Sequence, residues 1–220
     1  MRGIIASAAL ALLMLLAGCS SDGNPTLEPG EALDDTGGAA ASAEDEPMSP
    51  IRFYREYVTV EPSAHATRVS ALYYFRNESD RAVSQGIRYP FPVDRTHLYP
   101  DVVRVWEVAG DELRPMGFVH RPPHALWKMD LEPLGEKLVR VDYVQEIREP
   151  RAIYIVTTTR EWKRPIELAE FEFRVPAGLG DFSLSFAPDS RTTTGDTIVC
   201  YVRYEDFLPD EDLVVTWEER

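Results

Sequence analysis

Four histidines, two cysteines and a surplus of carboxylates are the side chains of this 220-residue chain best suited to chemistry. His65 and His97 stand alone, whereas His120-Arg121-Pro122-Pro123-His124 sets two imidazoles four residues apart. On a helix that spacing would put both rings on one face, but the prolines between them exclude an ordinary helix. A loop could still bring both rings to one ion. Zinc wants more protein ligands than two imidazoles supply, and no HExxH pattern occurs, so no metal is expected. Asp210-Glu211-Asp212 offers oxygens of the kind calcium uses, yet after Pro209 it reads as a solvated turn. Sugar hydrolysis needs two carboxylates about 5–10 Å apart, and no pattern singles out a pair.

Nucleophile patterns are missing as well. There is no GxSxG elbow, no Ser-x-x-Lys, no phosphate loop and no GxGxxG. Cys200 lies in Ile198-Val199-Cys200-Tyr201-Val202 with no His or Lys nearby in sequence to activate it. It reads as a small buried hydrophobe in a strand. Thr157-Thr158-Thr159 and Thr192-Thr193-Thr194 read as strand end and turn, and Asn77-Glu78-Ser79, although a glycosylation pattern, reads as a turn. One segment carries a binding hypothesis. Residues 118–130 mix aromatics, imidazoles and paired prolines. The prolines stiffen a loop and lower the entropy cost of holding a binding shape. Trp127 could stack on a sugar ring or fill a partner's pocket. The candidate binding residues are therefore His120, His124 and Trp127, in a domain expected to need no cofactor and to catalyse nothing.

The amino terminus is more specific. Met1-Arg2-Gly3 precedes an apolar run from Ile4 to Ala17. That run is shorter than the ~20 residues a transmembrane helix needs. A positive start, a short apolar middle and small residues at the end describe a secretion signal. Leu16-Ala17-Gly18-Cys19 resembles the lipobox of bacterial lipoproteins. The resemblance implies that Cys19 receives a diacylglyceryl thioether, that cleavage falls before it, and that the new amine takes an acyl chain such as palmitate. Buried acyl chains, at roughly 0.8 kcal/mol per CH₂, make a firm anchor without crossing the bilayer. Ser20, where Asp would imply retention at the inner membrane, implies passage to the outer membrane, facing the periplasm.

Residues 20–49 read as a flexible linker of Gly, Ala, Ser, Pro and acids. They hold eight acidic residues and no Lys or Arg, and bury too little apolar surface to offset the entropy of ordering. A chain of this length spans roughly 30 Å, enough to hold a domain away from the bilayer, and its charge opposes clamping to anionic lipid. The chain as a whole has 23 basic and 37 acidic residues. Without Arg2 and the eight linker acids, residues 50–220 keep 22 basic and 29 acidic side chains, a net of −7. No basic patch is implied, and nucleic acid is not an expected partner. If Cys19 is lipidated, Cys200 has no cysteine left in the chain to pair with.

The elements that would position these groups follow a period of two. Val139, Val141 and Tyr143 share one face with Arg140 and Asp142 opposite, and Phe171-Glu172-Phe173-Arg174-Val175 alternates cleanly. So does Val103-Arg104-Val105-Trp106-Glu107-Val108. This is the pattern of half-buried antiparallel strands. Further strands are expected near 52–60, 66–76, 83–91, 113–119, 152–159, 182–187, 197–204 and 213–218, divided by turns rich in Gly, Asn and Asp. Seventeen scattered prolines disfavour long helices. The expected architecture is an all-β, antiparallel two-sheet sandwich of about ten strands.

Arg68–Asp80 running into Ile87-Arg88-Tyr89-Pro90-Phe91-Pro92 is similar to VIT-like sandwiches and to an uncharacterised family of secreted bacterial β-domains. The stretch Tyr154–Ile166 resembles a second segment of that family. The resemblance implies the sandwich and brings no activity. Three parts are thus expected: a signal peptide at 1–18, a lipid-anchored acidic linker at 19–49 and a β-sandwich at 50–220. The expected role is a non-catalytic binding or scaffolding module of the bacterial cell envelope, touching the membrane through its lipid alone and facing an envelope protein or glycan. An envelope hydrolase, or a carrier with an aliphatic cavity, is the alternative.

Overall fold

The structure is a computed structural model and describes residues 49–218. Cys19 and the expected signal and linker lie outside the described residues, save the linker's final residue, Ser49. Fourteen strands form. The first seven are β1 (Ile51–Pro62), β2 (Ala66–Asn77), β3 (Val83–Pro90), β4 (Val102–Ala109), β5 (Glu112–Pro115), β6 (Phe118–Arg121) and β7 (His124–Leu131). The rest are β8 (Glu136–Glu146), β9 (Arg151–Tyr154), β10 (Ile166–Pro176), β11 (Phe182–Leu184), β12 (Ser190–Thr194), β13 (Thr197–Phe207) and β14 (Leu213–Trp217). Among the described residues the helices are two short 3-10 turns, Thr157–Trp162 and Ala177–Leu179.

The fold is an all-β sandwich. One layer is an eight-stranded sheet in the order β12-β13-β10-β1-β2-β8-β4-β5. The other layer is made of two three-stranded sheets, β11-β14-β9 and β3-β7-β6. Their inner faces meet through aromatic pairs that cross the layers, such as Tyr73 with Tyr89, Phe91 with Tyr143, and Tyr154 with Phe171. The alternation seen in sequence is realised: Val139, Val141 and Tyr143 point to the core, as do Phe171, Phe173 and Val175. Such strands read clearly because burying one face of a sheet leaves every second residue in water.

Four details depart from the expectation. One pairing is parallel, β1 against β10, which joins the first strand of the domain to the tenth. The expected strand at 113–119 is two strands broken at Met116-Gly117. The expected strand at 152–159 stops at Tyr154 and turns into the 3-10 segment. The Thr192-Thr193-Thr194 run is a strand, β12, pairing the edge of β13.

Buried polar groups tie the connections down. Asn77 Nδ2 donates to the carbonyls of Arg81 (2.6 Å) and Glu132 (2.9 Å), while its Oδ1 accepts from the amide and hydroxyl of Ser79. The Asn77 turn is thereby a satisfied anchor. Gln145 Nε2 donates to the carbonyls of Pro92 and Leu98, and His97 lies buried with Nε2 at 3.0 Å from the Arg151 carbonyl and Nδ1 at 3.0 Å from Asp94 Oδ1. Partial burial acts to raise the Asp94 pKa, but hydrogen bonds from the Thr96 amide and from His97 outweigh it and hold the carboxyl well below its ordinary range. These contacts pin the segment between β3 and β4 and explain why the lone His97 is structural. Cys200 is fully buried against Phe173 across the β10–β13 ladder, and burial raises its thiol pKa.

Candidate functional site: a cavity between two sheet edges

The second layer is split. Strand β3 ends one small sheet and β9 ends the other. Between these edges opens a cavity of about 540 Å³. Its floor is the inner face of the large sheet, where Phe53, Glu56, Tyr73, Phe75 and Tyr143 lie. One wall carries Ile87, Tyr89 and Trp127, and the other Tyr154, Ile155, Thr158, Thr159 and Trp162. The lining is therefore aromatic with few aliphatic side chains, a surface suited to flat or cationic groups rather than to fatty chains.

Glu56 reaches the floor because β1 carries a bulge. The register with β2 shifts between Phe53 and Arg55. The extra residue re-aims the strand, so that Phe53, Glu56, Val58 and Val60 all face inward. Glu56 then stands between Tyr73 on β2 and Ala169 on β10. It is 2% exposed, and its Oε1 has no hydrogen-bond partner within the protein. Burial alone pushes its carboxyl pKa up to about 8. No guanidinium or ammonium lies close enough to offset that desolvation.

Beside the acid runs a chain of phenols. Tyr73 Oη donates to Tyr89 Oη at 3.0 Å, and Tyr154 Oη lies 2.5 Å from Tyr73 Oη. Desolvation raises all three pKa values well above the phenolic norm, so the hydroxyls keep their protons. Two bonds among three hydroxyls use two protons and leave one for a further acceptor. Two more polar atoms in the lining, Trp127 Nε1 and Thr159 Oγ1, are buried with no partner within the protein. Buried donors and acceptors left unpaired cost about 1–3 kcal/mol each. Four such groups belong to side chains that line one cavity, which makes it the candidate site for a polar guest.

The cover is the Thr157–Trp162 segment. Asp212 Oδ1 accepts from the amides of Val156 (3.0 Å) and Thr157 (3.1 Å), and Arg160 Nε donates to the Pro209 carbonyl at 2.7 Å. The far end is held by Trp162, whose ring packs 6.0 Å from Phe53 and 5.7 Å from Phe75. Across the mouth, Arg88 Nη2 donates to both oxygens of Glu161 at 2.7 and 2.8 Å. Lys163 completes the rim in a left-handed conformation, φ 57°.

The residues expected at a binding loop are not brought together. Residues 118–130 form the hairpin of β6 and β7 rather than a loop, because Ala125, Trp127, Met129 and Leu131 alternate inward along β7. Trp127 is 5% exposed and lines the cavity from inside. His120 is exposed and meets Tyr99 and Phe118 edge to face, with Nδ1 3.1 Å from Tyr99 Oη. His124 is half-buried, and its carbonyl accepts from the same Tyr99 hydroxyl. Neither histidine lines the cavity. Among the described residues no group of three or more His, Cys, Asp or Glu side chains is placed to hold a metal. The Asp210–Asp212 turn is also more than solvated, since Asp212 caps the cover of the cavity.

Sequence reasoning missed Glu56 and the phenols. A signal existed. Phe53 and Val58 are both core residues five positions apart, an odd spacing that a regular strand cannot place on one face. Only an inserted residue reconciles them, and that residue turns Glu56 inward.

No known family model and no curated protein matches the chain. Solved structures do share the fold. One is a Legionella pneumophila protein provisionally described as a nutrient binding protein, with TM-score 0.58 and 14% identity over 77% of this chain and 68% of that one. An M1 zinc metallopeptidase from Deinococcus radiodurans matches at TM-score 0.42 and 11% identity over 76% of this chain and 42% of that one, a likeness too slight to carry an argument.

Proposed function

We propose that this chain is a lipid-anchored protein of the bacterial envelope whose sandwich domain binds a small molecule and does not transform it. The observation that carries the binding reading is the aromatic cavity with its unpaired Glu56, Trp127 and Thr159. A concave, half-apolar site with a few convergent polar groups is the ordinary form of a small-molecule site. The description of the Legionella protein is of the same kind. The lipobox at Leu16–Cys19 supports anchoring through Cys19, with Ser20 favouring the outer membrane and its periplasmic face. An envelope protein or glycan remains a partner of the domain's exterior in this reading, delivering or receiving the ligand.

A hydrolytic role has less behind it. Of the two carboxylates in the lining, Glu161 is clamped by Arg88 and no histidine stands beside Glu56. An aliphatic carrier has less still, because the walls are aromatic. The test is native mass spectrometry of the full-length protein released gently from its own membranes. A small molecule bound in the wild type and lost in Thr158→Trp, which fills the mouth, is the expected result. A wild type that releases no small molecule, together with no binding from a metabolite library, overturns the reading.

A further inference from the structure

We propose that the guest of this cavity carries an ammonium group, which enters nitrogen first and is held between the Glu56 carboxylate and the surrounding aromatic faces. The inference rests on the binding reading above and names the chemistry of the ligand. Glu56 is the one ionisable acid on the floor, fully buried, with Oε1 unpaired. The groups facing it from the elements packed around it are neutral: Tyr73 from β2, Tyr154 from β9, Tyr89 from β3, Tyr143 from β8 and the methyl of Ala169 from β10. The charged groups of the lining besides Glu56 are at the rim, where Arg88 and Glu161 neutralise each other and Lys163 remains. The deep end therefore lacks a cation and the mouth holds one. A guest with its positive end inward and a neutral or anionic tail toward Lys163 satisfies both.

The walls suit the same group. Ring faces carry the negative end of the aromatic quadrupole and attract a desolvated cation by ~2 kcal/mol or more, most strongly for Trp. Trp127, Trp162, Tyr73, Tyr89 and Phe53 supply such rings around the acid. A metal ion is a poor substitute, since one carboxylate and phenols do not fill an oxygen coordination shell. A neutral sugar would use the hydroxyls but leave the acid without its counter-charge.

Binding then has a proton balance. Glu56, with its carboxyl raised to about 8 by burial, is mostly protonated at neutral pH. When the cation enters, Glu56 ionises, its O–H bond breaks, and the proton leaves to solvent while the carboxylate pairs with the ammonium. The phenols beside Glu56, raised by burial far above neutral pH, keep their protons throughout.

The experiment titrates the full-length protein with choline, benzyltrimethylammonium and tyramine, each beside an uncharged isostere such as 3,3-dimethylbutan-1-ol for choline. Tryptophan fluorescence reports entry. Calorimetry in phosphate and in Tris at pH 7 reports protons exchanged. At least one cation binds at least 30-fold more tightly than its isostere, releases close to one proton, and gains nearly tenfold in affinity per pH unit from 6 to 7.5, levelling above 8. Glu56→Gln loses most of the cation's affinity and the proton release, while the isostere's affinity stays within threefold. The proton count on the wild type stands even if that variant fails to fold. Isosteres that bind as well as the cations, binding without proton release, or no binding by any cation of the panel overturn the assignment. A neutral or anionic native ligand found by mass spectrometry would sink the ammonium and leave the binding reading standing.

Discussion

Glu56 pairs with Ala169 across the parallel seam of β1 and β10, so a single methyl group stands beside the buried carboxyl on that side. The acid finds no partner there and is only 2% exposed. Its folded pKa, about 8, lies above the ordinary 4.5 because charging it means desolvating it. The folded state therefore holds a proton that the unfolded chain releases between those two values. Stability is untouched below pH 4.5, falls as pH rises from 4.5 to 8, and stays reduced above. Glu56→Gln removes this slope. At pH 9 it raises the Tm by roughly 5 °C or more, given a gain of a few kcal/mol, and at pH 4.5 it changes little. Scanning calorimetry across pH checks it; parallel curves for the two proteins would refute it.

Ala169 itself is a second lever. It is fully buried, and a larger side chain would press on its cross-strand neighbours, Glu56 on one side and Tyr204 on the other. Ala169→Leu costs about 1–3 kcal/mol of stability through overpacking. Chemical denaturation measures the cost. An unchanged midpoint would mean that the neighbouring side chains yield freely.

Tyr73 is the centre of the phenol chain, bonded to both Tyr89 and Tyr154. Tyr73→Phe strips a partner from two buried hydroxyls and costs about 1–3 kcal/mol, whereas Tyr89→Phe, at the chain's end, costs less. Urea midpoints rank the two variants. The reverse order would contradict the bonding seen here.

The cover of the cavity is held unequally at its two sides. Asp212 accepts two amides in a half-buried setting, while the Arg88–Glu161 pair is exposed. Asp212→Ala is expected to lower stability by about 1–2 kcal/mol and to speed amide exchange over residues 156–162. Arg88→Ala is expected to speed exchange over 157–162 with a stability change below about 1 kcal/mol. Hydrogen exchange by mass spectrometry separates the cases.

Thiol counting bears on the anchor. Cys200 is buried with a raised pKa and should not react with an aromatic disulfide reagent in the native state. Protein from its own host, with Cys19 acylated, yields no thiol when folded and one when denatured. Two thiols on denaturation, with an unmodified mass at Cys19, would remove the lipid anchor from the proposal.

Much of the sandwich was legible because burial on one face imprints a period of two. Strands such as β8 and β10 needed nothing more. The hairpin of β6 and β7 was harder: Pro122-Pro123 marked a break, and the inward alternation from Ala125 to Leu131 was read as part of a loop. The threonines of β12 gave no alternation at all, since the strand is exposed along its whole length. The cavity could not be read directly. It depends on a bulge inside β1, whose one trace in the sequence is the odd spacing of Phe53 and Val58, and on the meeting of two sheet edges remote in sequence, which leaves no local signature. Trp127, expected on a binding loop, instead faces inward from β7 and lines the cavity.

The seam between β1 and β10 has a consequence for how the domain comes into being. The residues it joins are separated by more than a hundred positions, from Arg55↔Leu168 to Val60↔Phe173. Contacts so distant along a chain slow folding, because a long loop must close before they form. A nascent polypeptide that has delivered β1 but not β10 presents an open strand edge of the kind that pairs with strangers. The floor on which Glu56 stands is thus completed late, and until then the polypeptide depends on whatever shields that edge from its neighbours.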